Sequence, residues 1–300
     1  MSTRILFVVK VSTYHRYVER GDEPRAQLLL DQGDPTVSRM LPSHNDHMRT
    51  LDEVRDACTS LGIEGVFHDS ASPLPSLDPF ALVATVGGDG TLLSASHSIG
   101  PDRSLLGINS APEHSVGFFC GARSGSVREA LEAALHSKLT PTVFARMRLS
   151  IGTEVVANRV LNEVLFCHAS PAATSRYILE IVRTINSVDE EQKSSGIWIG
   201  PAAGSTAAQR SAGGDILPSD SSDLQFVVRE PYAPLGEEIV LPKGLIRKGE
   251  TLCLHNKMRQ AKLFIDGEHT LVDVGLGDVV RLELSDEPLT VLGIERRSAP

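Results

Sequence analysis

An apolar run, Phe80-Ala81-Leu82-Val83-Ala84-Thr85-Val86, passes without a linker into Gly87-Gly88-Asp89-Gly90-Thr91. A short segment that is apolar at all but one position, with β-branched Thr85 the exception, predicts a parallel strand covered on both faces, because a half-exposed strand would alternate. The three glycines beyond it let backbone approach a ligand closely and accept φ values that other residues resist. Leu92 and the residues to 98 read as a helix start, whose free N–H groups would point at an anion in the turn.

The rest of the N-terminal half agrees with this unit. Residues 5–9 form a wholly apolar run, followed by Lys10, and residues 65–67 and 104–108 read as further strands, the last ending at Asn109. Residues 46–61 predict a helix, since Met48, Leu51, Val54, Cys58 and Leu61 fall three and four apart and Gly62 sits at the C-cap. Residues 126–136 predict one more, whereas 21–47 carry no clear period. Strands alternating with helices imply a Rossmann-like parallel α/β domain.

After about Leu139 the pattern changes to short alternating segments, such as Met147-Arg148-Leu149-Ser150-Ile151 and Tyr177-Ile178-Leu179-Glu180-Ile181-Val182. Asp266-Gly267 between two such runs signals a hairpin. The expected organisation is therefore α/β plus all-β: an α/β nucleotide-binding domain over residues 1–142 and an antiparallel β-rich domain over 143–300. The chain stops soon after Val291-Leu292-Gly293-Ile294, so a C-terminal return to the first domain is expected to be short or absent.

Composition narrows the partners. With 29 basic against 38 acidic residues the net charge is −9, which argues against a nucleic-acid or anionic-membrane binder. The apolar opening is too short for a signal segment, and no later run approaches the ~20 residues of a membrane span. Cys58, Cys120, Cys167 and Cys253 form no CxxC pair. A reduced, cytoplasmic protein is the expectation.

Three segments carry chemistry. The glycine loop lacks the Lys-Ser/Thr of a Walker A motif and is not GxGxxG. An acid inside a phosphate-cradling turn makes sense as a base for a hydroxyl, or as a group orienting a metal or sugar hydroxyl; the plain alternative is a turn with an Asp N-cap. Asn162-Glu163 opens a β segment, where carboxamide and carboxylate could read a base edge and a ribose diol if a strand end or bulge turns both to one side; otherwise they form a solvated turn. Ser195-Gly196-Ile197-Trp198-Ile199-Gly200-Pro201-Ala202-Ala203-Gly204-Ser205-Thr206-Ala207-Ala208, followed by Ser211-Ala212-Gly213-Gly214, crowds small residues around a strand-to-helix turn. A flat ligand could lie there against backbone, or Ser205 and Thr206 could simply cap the helix. Lys10, at a strand's carboxyl end, is placed for a phosphate. His44 and His47 flank Asp46 without a third ligand at metal spacing, so a surface or capping role is expected.

Taken together and in this order, the three segments resemble the NAD kinase family. Val9-Lys10, the run Gly107-Ile108-Asn109-Ser110-Ala111-Pro112-Glu113-His114-Ser115 and Gln192-Lys193-Ser194-Ser195-Gly196 are similar to its mitochondrial-type branch. The resemblance implies a kinase that moves the γ-phosphoryl of ATP, or of polyphosphate, to the 2′-hydroxyl of the adenosine ribose of NAD, making NADP. Asp89 would be the base or orienter for the acceptor hydroxyl, and Gly87, Gly88, Gly90 and Thr91 the phosphate-side loop. Asn162 and Glu163 would contact adenine and ribose, and Thr206 and Ala207 would line the adenosine pocket. Asn109, Ser195, Ser205 and Lys10 complete the expected nucleotide-binding set. Mg²⁺ would arrive with the nucleotide, no protein-held metal is expected, and the family implies a homodimer or homotetramer.

This sequence departs from the common bacterial pattern. Ser195 stands where Asp is usual, Pro201-Ala202-Ala203 replaces Thr-Pro-Thr, Ala208 replaces Tyr, and the 109–117 interval is longer. These changes bear on affinity and on NAD against NADH. A diacylglycerol-type lipid kinase would share the glycine loop but need an apolar entry for acyl chains. A non-catalytic dinucleotide sensor would keep the pocket without turnover.

Overall fold

The computed structural model describes residues 3–236 and 238–294 of the chain. It divides into two compact units. One holds the chain through Thr142 and again from Leu289 onward; the other is Val143–Pro288.

The first unit is built on a seven-stranded sheet. Its strands are β1 (Thr3–Val9), β2 (Ile63–Asp69), β3 (Leu82–Gly87), β4 (Ser104–Asn109), β5 (Ala122–Arg123) and β6 (Pro141–Phe144), joined by the chain's last strand, Leu289–Leu292. The order is β2-β1-β3-β4, then the last strand, then β6, with β5 also on β4. The pairs β1–β2, β1–β3, β3–β4, β4–β5 and β4 with the last strand are all parallel. Helices α1 (Arg25–Asp31), α2 (Met40–Leu61), α3 (Asp89–Ser96) and α4 (Val127–Leu135) complete the unit.

Alternation along each strand divides its side chains between two helix layers. Ile5, Phe7, Ala84, Val86, Leu106 and Ile108 share one core with Leu51 and Val54 of α2 and Val127 and Leu131 of α4. On the other face Leu92 of α3 packs so closely on Gly107 that a Cβ there would lie 3.0 Å from its Cδ1. Both faces of the central strands are dry, which is why β3 is buried at all six positions. Helix α2 begins six residues earlier than its apolar period suggests and ends at Gly62, with φ 66°. Its Glu53 accepts the amides of Gly125 (2.9 Å) and Val127 (3.0 Å), capping α4 from outside its own sequence.

The second unit holds strands β7 (Met147–Ile151), β8 (Glu154–Val160), β9 (Val164–His168), β10 (Ser175–Val182), β11 (Ser187–Ser194) and β12 (Ile197–Pro201). After a short helix, α5 (Ala208–Ser211), come β13 (Leu224–Val228), β14 (Lys243–Ile246), β15 (Thr251–Asn256), β16 (Ala261–Ile265), β17 (Thr270–Val274) and β18 (Val279–Leu284). They form two six-stranded sheets, β11-β10-β15-β18-β7-β8 and β14-β13-β12-β9-β16-β17. One core draws on both, with Met147, Leu149, Tyr177 and Leu254 from the first and Val164, Phe166, Ile199 and Phe226 from the second. The Phe166 and Tyr177 rings meet edge to face at 5.5 Å.

Two expectations change. The second domain does not run from 143 to 300: Leu289–Leu292 returns to the first unit, its Thr290 and Val291 paired with Ser104 and Leu105. Close backbone packing seats it, since a Cβ on Gly121 would overlap the Leu292 carbonyl. Residues 295–300 lie outside the described residues. The helix after the glycine loop starts at Asp89 itself, not at Leu92. No helix among the described residues is long and apolar enough to cross a membrane.

Candidate functional site

In the first unit, β3 delivers Gly87 to the carboxyl edge of the sheet and α3 starts two residues later. A side chain at Gly87 is opposed by its neighbours. A Cβ there would overlap Thr91 Oγ1 and stand 3.0 Å from Lys10 Cβ. Gly88 is the N-cap, with extended backbone and no side-chain cap, and a Cβ on it would lie 2.6 Å from Ser115 Oγ. A Cβ on Gly90 would meet nothing within 4 Å, so this turn of α3 faces open space.

Asp89 is therefore not an N-cap. Its Oδ2 accepts the Phe118 amide at 3.0 Å and its Oδ1 the Phe119 amide at 2.8 Å. One bond to each oxygen fixes the plane of the carboxylate and leaves each with a further lone pair. The loop supplying these amides is itself tied down by Asn109. That buried side chain donates to the Ser115 carbonyl (3.1 Å) and accepts from the Ala111 amide (3.3 Å). Gly117, φ 64°, lies so close that a Cβ would overlap the Asn109 amide. Asn109 is thus a loop anchor behind the glycine turn. Cys120 lies near Asp89; burial first, and the Asp89 charge second, push its thiol up to about 12.

Lys10 follows β1, and its amide is bonded to the Val86 carbonyl at 2.9 Å. Burial lowers its ammonium from the ordinary lysine value. His47 is not at the surface as expected. It is 3% exposed, its Nδ1 2.8 Å from Ser110 Oγ, and burial together with the Lys10 and His44 charges lowers it to about 4. A neutral imidazole is the form that this interior tolerates.

In the second unit, Asn162 and Glu163 form the tight link between β8 and β9. Three consecutive amides of this link, Leu161, Asn162 and Glu163, donate to the Asp266 carboxylate at 2.8, 2.7 and 3.0 Å. Asp266 returns its own amide to the Glu163 carbonyl at 2.9 Å. Its place is the β16–β17 hairpin turn, with φ 48°. Asp266-Gly267 was legible only as a turn; its part in shaping the Asn-Glu link depends on a pairing about a hundred residues distant. Gly200 and Gly204 back the link from behind, since a Cβ on either would overlap the Asn162 carbonyl. Gln209, fully buried, sits 3.4 Å from that carbonyl and takes a bond from Gln225, which also accepts the Asp215 amide at 2.7 Å. Neither glutamine belonged to a recognisable motif.

Glu163 is pushed up to about 7, by burial first and the Asp266 charge second. Its Oε2 and the Asn162 Oδ1 are buried without a protein partner among the described residues. Buried polar atoms of this kind are uncommon and call for a ligand or an ordered water.

The remaining expected residues divide. Ser205 is fully buried and satisfied internally, donating to the Ala202 carbonyl (2.7 Å) and accepting the Leu217 amide (3.0 Å). Thr206 is exposed and Ala207 half-buried, at the end of the 3₁₀ turn Ala202–Thr206 that follows β12. Ser195 is not brought to the Asn-Glu link. The antiparallel register pairs Ile199 with Val164 and Ile197 with Phe166, so Ser195 lies at the opposite end of β9, roughly 13 Å along the strand. It lines a separate cavity with Arg176, Lys193, Glu230 and Tyr232. Among the described residues no group of three or more His, Cys, Asp or Glu is gathered that could hold a metal ion.

No family model matches the chain. The sequence is 33% identical over 245 residues to NADH kinase of Arabidopsis thaliana, covering 74% of each chain. It is 30% identical over 241 residues to a probable NADH kinase of Oryza sativa subsp. japonica, covering 74% of this chain and 72% of the relative. Against an NAD kinase of Geobacter sulfurreducens it is 28% identical over 214 residues, 70% of this chain and 71% of the relative. The fold is similar to the crystal structure of an NAD kinase from Archaeoglobus fulgidus in complex with ATP, with TM-score 0.69 and 18% identity over 98% of this chain and 95% of that one. With relatives at this identity spanning nearly three quarters of both sequences, and a two-unit fold carrying the glycine turn and the Asn-Glu link, the chain belongs to the NAD kinase family.

Proposed function

We propose that this protein is an NAD(H) kinase, transferring the γ-phosphoryl of ATP to the 2′-hydroxyl of the adenosine ribose of NAD or NADH. The observation that carries the reading is Asp89, a carboxylate fixed at the mouth of a glycine turn by the Phe118 and Phe119 amides. The 2′-oxygen attacks the γ-phosphorus, the bond from that phosphorus to the β–γ bridging oxygen breaks, and ADP leaves. The hydroxyl proton passes to Asp89. Phosphoryl transfer asks a protein mainly for alignment and charge neutralisation, and a rigidly oriented acceptor suits the first.

Asn162 and Glu163 are assigned to the adenosine end of the acceptor. Support comes from the buried, unpartnered Asn162 Oδ1 and Glu163 Oε2, which a ligand would satisfy. Thr206 and Ala207 line the same end. Ser205 and Asn109 act by holding backbone, since their polar atoms are already engaged. The ATP bound to the A. fulgidus NAD kinase supports a nucleoside triphosphate as donor. The two plant relatives named NADH kinase make the reduced dinucleotide an acceptor to test beside NAD.

Mg²⁺ fits as an ion carried on the phosphates, with few or no protein ligands, and when bound it would neutralise charge on the transferring group. The reading includes a cytoplasmic homodimer or homotetramer without nucleic-acid or membrane partners. The net charge of −9 supports the last point, and the four free thiols suit a reducing compartment.

The test is direct. Purified protein with ATP, Mg²⁺ and either NAD or NADH is assayed for the phosphorylated dinucleotide, beside Asp89→Asn. Turnover should fall by about 10²- to 10⁴-fold in the variant while the fold stays intact. Full activity in that variant would remove Asp89 from the reaction. Phosphorylated lipid in place of NADP would overturn the reading.

A further inference from the structure

We propose that the phosphoryl donor binds in a cavity of about 440 Å³ wholly within the first unit, at the carboxyl ends of β1 and β2, where Lys10 grips its phosphoanhydride chain. The inference rests on the kinase reading and extends it from the phosphate loop to a defined cavity for the donor.

Position is the first argument. Ligands of open α/β sheets gather outside the carboxyl ends of the strands, and this cavity opens on two of them. It adjoins the glycine turn through Lys10, whose Cβ would lie 3.0 Å from a Cβ on Gly87. The cavity thus borders the glycine turn on its Lys10 side.

Charge is the second. Among the described residues Lys10 has no side-chain hydrogen bond or ion pair, although it lines the cavity. Arg20 and Arg55 also line it. The counter-ion of Arg55, Asp52, is 69% exposed and belongs to the solvent side of α2. Arg20 shares Asp69 at a loose 3.4 Å. Glu19, the other acid on the wall, is engaged by His15. Cations thus outnumber acids in a pocket of an otherwise acidic protein. With Lys10, Arg20 and Arg55 against Glu19 and Asp69, and Lys10 the wall cation without a counter-ion, such a site favours an anion beside Lys10.

The third argument is the rest of the wall. Met48, Leu51 and Phe67 give the cavity an apolar side, with Phe67 39% exposed and Arg55 5.5 Å from its ring centre. Volume and mixed lining fall in the range of small-ligand pockets. A bare polyphosphate needs only the cations; the apolar side favours a nucleoside triphosphate, whose base it would cover.

Lys10→Met keeps the aliphatic stem and removes the charge. Met48→Trp narrows the apolar side from a position 38% exposed, so the core is spared. Steady-state rates are measured with ATP varied at saturating dinucleotide, with dinucleotide varied at saturating ATP, and with long-chain inorganic polyphosphate as donor. Binding of Mg-ATP alone is measured by titration calorimetry, with circular dichroism confirming the fold. Losing one charged contact should raise KM for ATP and weaken its binding by about tenfold or more in Lys10→Met, with KM for dinucleotide within twofold. Met48→Trp should weaken ATP while leaving polyphosphate unchanged. If polyphosphate is the better donor and Met48→Trp affects neither donor, the phosphate grip stands and the nucleoside assignment is overturned. ATP affinity and KM unchanged in folded Lys10→Met protein would overturn the whole inference. Failure of the wild type to make NADP is a failure of the kinase reading, and the calorimetry then decides the cavity by itself: no ATP binding overturns it.

Discussion

Asp266 offers a demanding test of how the second unit shapes its Asn-Glu link. Oδ1 accepts the Asn162 and Glu163 amides at 2.7 and 3.0 Å, and Oδ2 accepts the Leu161 amide at 2.8 Å. Asp266→Asn keeps Oδ1 but turns Oδ2 into an N–H₂ group facing the Leu161 N–H. One charge-assisted bond is lost and two donors are opposed, a cost of about 1.5–3 kcal/mol. Relief of the repulsion with Glu163 returns part of it, so a net loss of about 2 kcal/mol is expected. Asp266→Ala removes the acceptor for all three amides. At about 1–3 kcal/mol per orphaned group, reduced where water reaches the half-buried Asn162 and Glu163, the loss is roughly 3–6 kcal/mol. The left-handed φ of 48° adds a further cost of about 1 kcal/mol that Asn, tolerant of this region, escapes. Urea unfolding at pH 7, followed by circular dichroism and by the fluorescence of Trp198 in β12, should rank wild type above Asn above Ala. KM for the dinucleotide should rise in both variants. An Ala variant within 1 kcal/mol of wild type would refute the claim that this carboxylate holds the link.

Glu163, raised from the ordinary 4.5 to about 7, makes stability pH-dependent. The folded state keeps this proton longer than the unfolded one, so the contribution is full below about pH 4.5, falls as pH rises to about 7, and is flat above. Glu163→Gln should remove that slope and gain up to about 3 kcal/mol over wild type at pH 8, at about 1.4 kcal/mol per pH unit; parallel denaturation curves for the two proteins from pH 5 to 8 would contradict it. Gly87→Ala forces a methyl onto Thr91 Oγ1 and should cost about 1–3 kcal/mol, with turnover falling further as the glycine turn moves; an unchanged melting temperature and rate would show that the turn relaxes freely. Cys120, pushed up to about 12, should resist iodoacetamide at pH 8 in folded protein and react once urea exposes it; mass spectrometry of the Cys120 peptide decides.

The elements that could be read from the chain are those whose signal is local. β1, β3 and β4 announce themselves because a strand dry on both faces is apolar at nearly every position, and the second half of α2 because its buried stripe repeats every three to four residues. The first turns of α2 and all of α1 were illegible, since α1 buries only Ala26 and the first turns of α2 bury no apolar side chain, meeting the rest of the unit through polar groups such as His44, 2.7 Å from Ser12 Oγ. The glycine turn was legible as a ligand-facing turn, but the restraint on Asp89 was not, because its partners at Phe118 and Phe119 are supplied as bare backbone. An amide donor carries no residue signature.

Local chemistry along the chain was enough to determine the two kinds of sheet, the strand–glycine–helix turn, and three segments whose joint order points to the NAD kinase family. Tertiary structure alone decided what those segments touch. It brought Leu289–Leu292 back beside β4 and set Asp266 under the amides of residues 161–163. It also placed Ser195 at the far end of β9 from Glu163, although both lie in segments read as one site. Strand register and long-range pairing are set by how whole faces pack, and a one-residue slip would turn every side chain to the other face. That information is distributed over the core and stands in no single motif.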